Sequence, residues 1–227
     1  DTDEMDGRPP DFQVKNLVFK DGLPGFEVWH DQRLYCRLKL QVPGRHNVDN
    51  AMAAIACAAL NGGTPEAAES ALRTFQGAEG RFTFVGYYRG AQVIADYAHH
   101  PSAARATLSA AGNMPHPRTW VVFQPLTYSR TKVLLENFAR TFKDCAHVIL
   151  AEIFSDRETN NGDVSSRMLA DRINELGGNA EFEPSLAAIQ KRLDQLITPG
   201  DLLLVLGPEQ IREFADHLTG RSNHFGL

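Results

Sequence analysis

Apolar and polar residues alternate through "FQVKNLVFKDGLPGFEVWHDQRLYCRLKLQVPG", with breaks at "DGLPG" and "HDQ". Period two with turn residues at the breaks predicts three short strands joined as an antiparallel meander. The period then lengthens. In "NVDNAMAAIACAALNGG" a small-residue apolar run predicts a helix with Asn47 or Asp49 as N-cap and Asn61-Gly62-Gly63 as its stop. Its alanines suit close packing against a sheet. "TPEAAESALRTFQG" predicts a second helix, with Thr64 as cap, Pro65 at the first helical position and Glu66 in the first turn.

From Arg81 the rhythm changes. Strands "RFTFVGYY" and "AQVIADY" precede a helix from Pro101, strand "TWVVFQ", a helix near "TKVLLENFARTF" and strand "HVILAEI". Helix "SSRMLADRINELGG", strand "AEFE", helix "SLAAIQKRLDQLI", strand "DLLLVLG" and helix "PEQIREFADHLTG" complete the chain. Continuous apolar strands alternating with amphipathic helices predict a mostly parallel, doubly wound α/β sheet covered on both faces over residues 80–227. Residues 1–79 hold too few strands for a complete α/β domain and read as the last part of one, antiparallel strands and then helices.

A chain of 227 residues accommodates two such domains, and its 43% hydrophobic and 22% charged content is ordinary for a globular protein. The net charge is -5, with lysine and arginine scattered rather than massed, which argues against a nucleic-acid partner. No apolar run approaches the roughly 20 residues of a bilayer span, and no signal peptide stands at the start. Cys36, Cys57 and Cys145 are odd in number and lack C-x-x-C spacing, which suits reduced thiols and a cytoplasmic location. The opening "DTDEMDGRPPDF", acidic and without an initiating methionine, reads as a tail, a linker or the cut edge of something larger.

In a doubly wound sheet, ligands bind beyond the carboxyl ends of the strands. Three polar connections are expected at that edge: "DYAHHPS", "QPLTYSRT" and "FSDRETNNGD". They bring Asp96, His99, Arg130 and the acids Asp156 and Glu158 toward one another. Adjacent His99 and His100 lack the i, i+4 spacing of a helical zinc pair, so no metal site is expected. His100 reads as a cap of the helix opened by Pro101, whereas His99 stands evenly between function and partial exposure. Arg130, in "YSRT" at a helix start with free N–H groups, suits a carboxylate or phosphate; its bland alternative is pairing with an acid such as Glu136. Asp96 is either a site acid or a turn acid, and Arg81, after the hinge-like "GAEG", is a solvated linker arginine on the residues alone. Neither G-x-x-x-x-G-K-[ST] nor G-x-G-x-x-G occurs, and no serine elbow or convincing Cys–His pair is present.

"GRHNVDNAMAAIACA", "FQGAEGRF", "DYAHHPSAARATL" and "VVFQPLTYSRT" occur in that order over residues 44–131, and "ILAEIFSDRET" follows. Together they resemble successive motifs of the Mur ligases of peptidoglycan synthesis. "AHHP" and "FQPLTYSRT" are most similar to those of members that join L-alanine to UDP-N-acetylmuramate. Such ligases have a UDP-sugar domain, a central ATPase domain with a P-loop, and a C-terminal Rossmann-like domain. The resemblance therefore implies the end of the central domain over residues 1–79 and the whole third domain over 80–227, with Asp1 a cut edge. It implies ATP and Mg2+ as cofactors, the magnesium ligands mainly outside this chain, and acyl-phosphate chemistry.

By the same resemblance, Asn47 with His46 beside it would contact adenine, and Arg81 and Asp96 would hold the phosphate and ribose portion. Tyr97 and His99 would line the amino-acid pocket, His99 as the catalytic residue, and Arg130 would grip the carboxylate of L-alanine. Gly77 to Gly80 would be the hinge of domain closure. Three positions depart from the family pattern: Ala95 where a second acid is common, Leu126 where "FQPH" is common, and "GPEQ" where "GAG" is common. A Mur-type ligase for another amino acid or peptide, and a noncatalytic Rossmann-like binding module, are the alternative expectations.

Overall fold

The computed structural model describes residues 10–155 and 157–221. The opening acidic stretch through residue 9 and Asp156 lie outside the described residues. Two compact units are present: the chain up to Gly77 with Leu108–Pro115, and Ala78–Thr107 with the chain from His116 onward.

The first unit carries β1 (Phe12–Lys20), β2 (Leu23–His30) and β3 (Arg33–Lys39), an antiparallel sheet in that order, followed by α1 (Arg45–Leu60) and α2 (Pro65–Thr74). Both hairpins turn on two residues with positive φ: Asp21 (52°) with Gly22 (81°), and Asp31 (47°) with Gln32 (62°). That pairing is the type I′ geometry whose twist matches the flanking strands. The first break is therefore shorter than "DGLPG". Pro24 and Gly25 lie inside β2, opposite Phe19 and Val18, and the Pro24 carbonyl accepts from the Leu40 N–H at 3.0 Å. Inward residues Phe26, Val28, Cys36 and Leu38 pack with Val48, Ala51 and Ile55 of α1.

The N-cap of α1 is Gly44, not Asn47 or Asp49. The chain enters the helix at φ 93°, a region side-chain-bearing residues avoid, and a Cβ there would meet the His46 ring at 2.7 Å. α1 ends as expected at Asn61. The Gly62 and Gly63 N–H groups donate to Ala59 and Ala58 carbonyls at 3.1 and 2.8 Å, with Gly62 left-handed. Thr64 caps α2 by accepting from the Ala67 N–H at 3.3 Å.

The second unit runs β4 (Thr83–Tyr88), β5 (Ala91–Asp96), α3 (Pro101–Gly112), β6 (Thr119–Phe123), α4 (Tyr128–Phe142), β7 (His147–Leu150), α5 (Ser166–Glu175), β8 (Ala180–Phe182), α6 (Leu186–Leu196), β9 (Leu202–Leu206) and α7 (Glu209–Leu218). Its six strands are ordered β4-β5-β9-β6-β7-β8, with only the β4–β5 pair antiparallel. β6, β7 and β9 are buried on both faces, which explains their unbroken apolar runs. On one face, Ile189 and Leu193 of α6 and Ile211 and Phe214 of α7 join Val93, Val122, Leu203 and Val205. On the other, Phe123 meets Phe138 and Phe142 of α4 at ring distances of 5.1 and 4.9 Å. The doubly wound, mostly parallel architecture is thus as the hydrophobic pattern predicts.

At the amino-terminal edge, buried Asp201 ties β9 to β6. It accepts from Arg118 Nε and Nη2 at 3.1 and 3.0 Å, Trp120 Nε1 at 2.9 Å, and the Thr198 N–H and hydroxyl at 3.0 Å each. Burial alone pushes its carboxyl pKa up, but these donors outweigh it and hold the group below the ordinary aspartate value.

Candidate functional site

The opposite, carboxyl edge collects the polar loops. Asp96 lies across from Leu206, Leu206 from Phe123 and Phe123 from Leu150, so the segments after β5, β9, β6 and β7 leave the sheet at one level. This convergence follows from parallel pairing.

After β5, Asp96 Oδ2 accepts from the Thr107 hydroxyl at 2.5 Å, and its carbonyl accepts from the Gly207 N–H at 3.0 Å. The Tyr97 N–H donates to the Gly80 carbonyl at 2.9 Å, fastening the residue that precedes Arg81. The Arg81 guanidinium stands 5.4 Å from the Tyr97 ring centre and makes no ion pair with the described residues. His99 meets Tyr97 edge to face at 4.8 Å, with Nδ1 2.9 Å from the Tyr97 carbonyl. A carbonyl only accepts, so Nδ1 carries the hydrogen and Nε2 keeps its lone pair. Burial lowers the His99 pKa; the Tyr97 carbonyl opposes this, and the charges of Arg130, Arg81 and His100 reinforce it. These effects together favour the neutral ring. His100 accepts from the Ser102 N–H at 3.3 Å and caps α3.

After β6, Gln124 is 4% exposed; its amide donates to the Glu152 carbonyl at 3.2 Å and to Gln210 Oε1 at 2.9 Å, and its own Oε1 has no partner among the described residues. Thr127 precedes α4 at φ 64°, ψ 144°, a conformation strained for a β-branched residue. α4 opens at Tyr128 and places Arg130 in its first turn, at the helix start expected for "YSRT". Arg130 Nη1 is buried and has no hydrogen-bond partner among the described residues. Glu136 is not its counter-ion; that acid pairs with Arg140 and Arg172 at 2.8 and 2.7 Å.

After β7, Glu158 accepts from the Ser129 N–H at 2.9 Å and from the Ser129 hydroxyl. These bonds, one from the Tyr128 N–H, and the Arg130 charge hold its carboxyl below the ordinary glutamate range. The Ser129 N–H, one of the first-turn groups expected to attract an anion, is therefore taken by Glu158, and the Arg130 guanidinium keeps an open donor among the described residues. Asp156, expected beside Glu158, is outside the described residues.

His46 and Asn47 belong to the first unit, where Asn47 Nδ2 donates to the Pro43 carbonyl at 2.7 Å and Oδ1 accepts from Asn50 at 3.4 Å. Arg81, Asp96, Tyr97, His99 and Arg130 all belong to the second. Sequence reasoning assigned nothing to Gln124, whose only signal was a polar residue closing an apolar strand. It also did not foresee which donors Glu158 takes. Among the described residues, no group of three or more His, Cys, Asp and Glu side chains is placed to hold a metal ion, and no helix is long and apolar enough to cross a membrane.

Residues 80–208 match the family described as Mur ligase, glutamate ligase domain. The chain is 40% identical over 188 residues to UDP-N-acetylmuramate–L-alanine ligase of Acetivibrio thermocellus, covering 83% of this chain and 40% of that protein. It is 41% identical over 197 residues to the ligase of the same name from Clostridium novyi, covering 87% and 43%. The solved UDP-N-acetylmuramate–alanine ligase of Thermotoga maritima superposes with a TM-score of 0.78 at 25% identity, over 94% of this chain and 46% of that one. The chain thus spans less than half the length of the relatives it matches. With the motifs, the doubly wound sheet and the match over residues 80–208 in agreement, the chain belongs to the Mur ligase family.

Proposed function

We propose that this chain is the C-terminal part of an ATP-dependent ligase that joins L-alanine to UDP-N-acetylmuramate in cytoplasmic peptidoglycan synthesis. On this reading, residues 1–79 end the central ATP-binding domain and 80–227 form the amino-acid-binding domain. The observation that carries it is the buried Arg130 Nη1, without a hydrogen-bond partner among the described residues, on the same sheet edge as His99, whose Nδ1 faces the Tyr97 carbonyl. A guanidinium with an open donor suits a carboxylate, and Nε2 of a neutral imidazole can take a proton from the α-ammonium. The freed amine then attacks the muramoyl acyl phosphate: the C–N bond forms, the C–O bond to phosphate breaks, and phosphate leaves. ATP, with Mg2+, supplies the phosphoryl group that activates the carboxylate.

Arg81, free of ion pairs among the described residues, suits a nucleotide phosphate, and Asp96 a ribose hydroxyl. The chain contains no G-x-x-x-x-G-K-[ST] phosphate loop, so its 227 residues alone are expected neither to hydrolyse ATP nor to ligate alanine. Measurable turnover by the pure chain overturns that expectation.

The test is ADP release by the full-length protein, which should require both UDP-N-acetylmuramate and L-alanine. Glycine, L-serine and dipeptides should substitute poorly; preference for one of them would redirect the reading to another Mur-type specificity. Arg130→Ala should weaken L-alanine by about 2–4 kcal/mol, the scale of a lost charged contact. An unchanged KM for L-alanine removes Arg130 from the amino-acid site.

A further inference from the structure

We infer that Glu158 is a positioning residue of the amino-acid subsite: by binding the first turn of α4 it fixes Arg130 and leaves its guanidinium open for the substrate carboxylate. The inference rests on the functional reading above. A carboxylate close to a guanidinium ordinarily pairs with it. Here the Arg130 charge acts on Glu158, yet both Glu158 oxygens are taken by Ser129, one by its N–H at 2.9 Å and the other by its hydroxyl. The N-cap residue, Thr127, makes no side-chain cap bond of its own, so the cap comes from a different loop, 31 positions along the chain from Thr127.

Glu158 is itself held. Its N–H donates to the Ser155 hydroxyl at 3.1 Å. Upstream, the Thr127 N–H donates to the Phe154 carbonyl and the Phe154 N–H to the Pro125 carbonyl, each at 2.9 Å. The loop after β7 is thus stitched to the loop after β6 on both sides of Thr127. A threonine at φ 64° persists only where its surroundings over-determine it. Without Glu158 the turn is free to relax, and Arg130, three residues on, moves with it. The positive end of α4 is satisfied by Glu158, so the substrate carboxylate meets the guanidinium rather than the helix terminus.

Glu158→Ala and Glu158→Gln in the full-length protein test this, Gln keeping one acceptor. Glu158→Ala should raise the KM for L-alanine tenfold or more, with Gln intermediate, while kcat and the KM values for ATP and UDP-N-acetylmuramate stay within twofold. An unchanged KM for L-alanine, or a parallel loss for all three substrates, overturns the positioning role. In the 227-residue chain, amide hydrogen exchange at Tyr128 and Ser129 should accelerate in Glu158→Ala while Val121–Phe123 stay protected; equal protection overturns the latch. An unsubstituted protein that uses no amino acid overturns the subsite role along with the functional reading, and the exchange result then decides the Glu158 contact by itself.

Discussion

Removing the carboxylate of Asp201 should cost the second unit a large share of its stability. Asp201 is 1% exposed, and Asp201→Ala strips the acceptor from buried Trp120 Nε1 and from the half-buried bond of the Thr198 N–H. Each buried donor left unmade costs about 1–3 kcal/mol. Arg118, whose side chain is 44% exposed, recovers water and adds less. The sum is about 2–4 kcal/mol at pH 7. The two tryptophans divide between the units, Trp29 in the first and Trp120 in the second, so Trp29→Phe leaves Trp120 as the sole indole reporter.

Denaturant unfolding followed by Trp120 fluorescence then reads the loss directly. The pH dependence has a definite sign. The folded-state pKa of Asp201 lies below the unfolded value of about 3.9, so its contribution is complete above that pH and is lost as pH falls through the folded pKa. Asp201→Ala should flatten the stability profile below about pH 4. A loss under about 1 kcal/mol at pH 7, or parallel profiles for the two proteins, refutes the reasoning.

Thr127→Gly should stabilise the chain by about 1 kcal/mol, the relief of a strained φ less the added backbone entropy, read as a higher denaturation midpoint; a lower midpoint contradicts the strain. Burial pushes the Cys36 and Cys145 thiols up to about 11 and about 12, so at pH 8 a disulfide reagent should rapidly modify one thiol, exposed Cys57. A fast phase that survives Cys57→Ser contradicts this. Nitrogen shifts of His99 should show Nε2 unprotonated at pH 7 and titration below its ordinary pKa, and an imidazolium at pH 7 rules it out as proton acceptor.

Period-two and period-3.6 patterns identified the strands and helices because burial on one or both faces writes itself into consecutive residues. The pattern fails where a single backbone angle or a long-range partner decides. Pro24 and Gly25 read as breakers, yet they pair within β2 because the turn needs only Asp21 and Gly22. Asn47 has the chemistry of a cap, but Gly44 turns the chain first, and the Asn47 amide ties back to Pro43. At the site, parallel pairing made legible that the loops carrying Asp96, His99 and Arg130 leave one edge of the sheet. The choice of Glu158 between Arg130 and Ser129 was not, since it depends on the angle at Thr127 and on loop contacts that no spacing encodes.

The place of β9 governs how this sheet can assemble. β5 and β6 are complete by Phe123, but neither pairs with the other; each waits for Leu202–Leu206, synthesised only after β7, α5, β8 and α6. Until then a nascent chain carries two apolar strands with open edges, the condition that slows folding and invites aggregation. A product stopping before Leu202 would lose the middle of the sheet rather than its rim, so both halves of the carboxyl edge depend on β9.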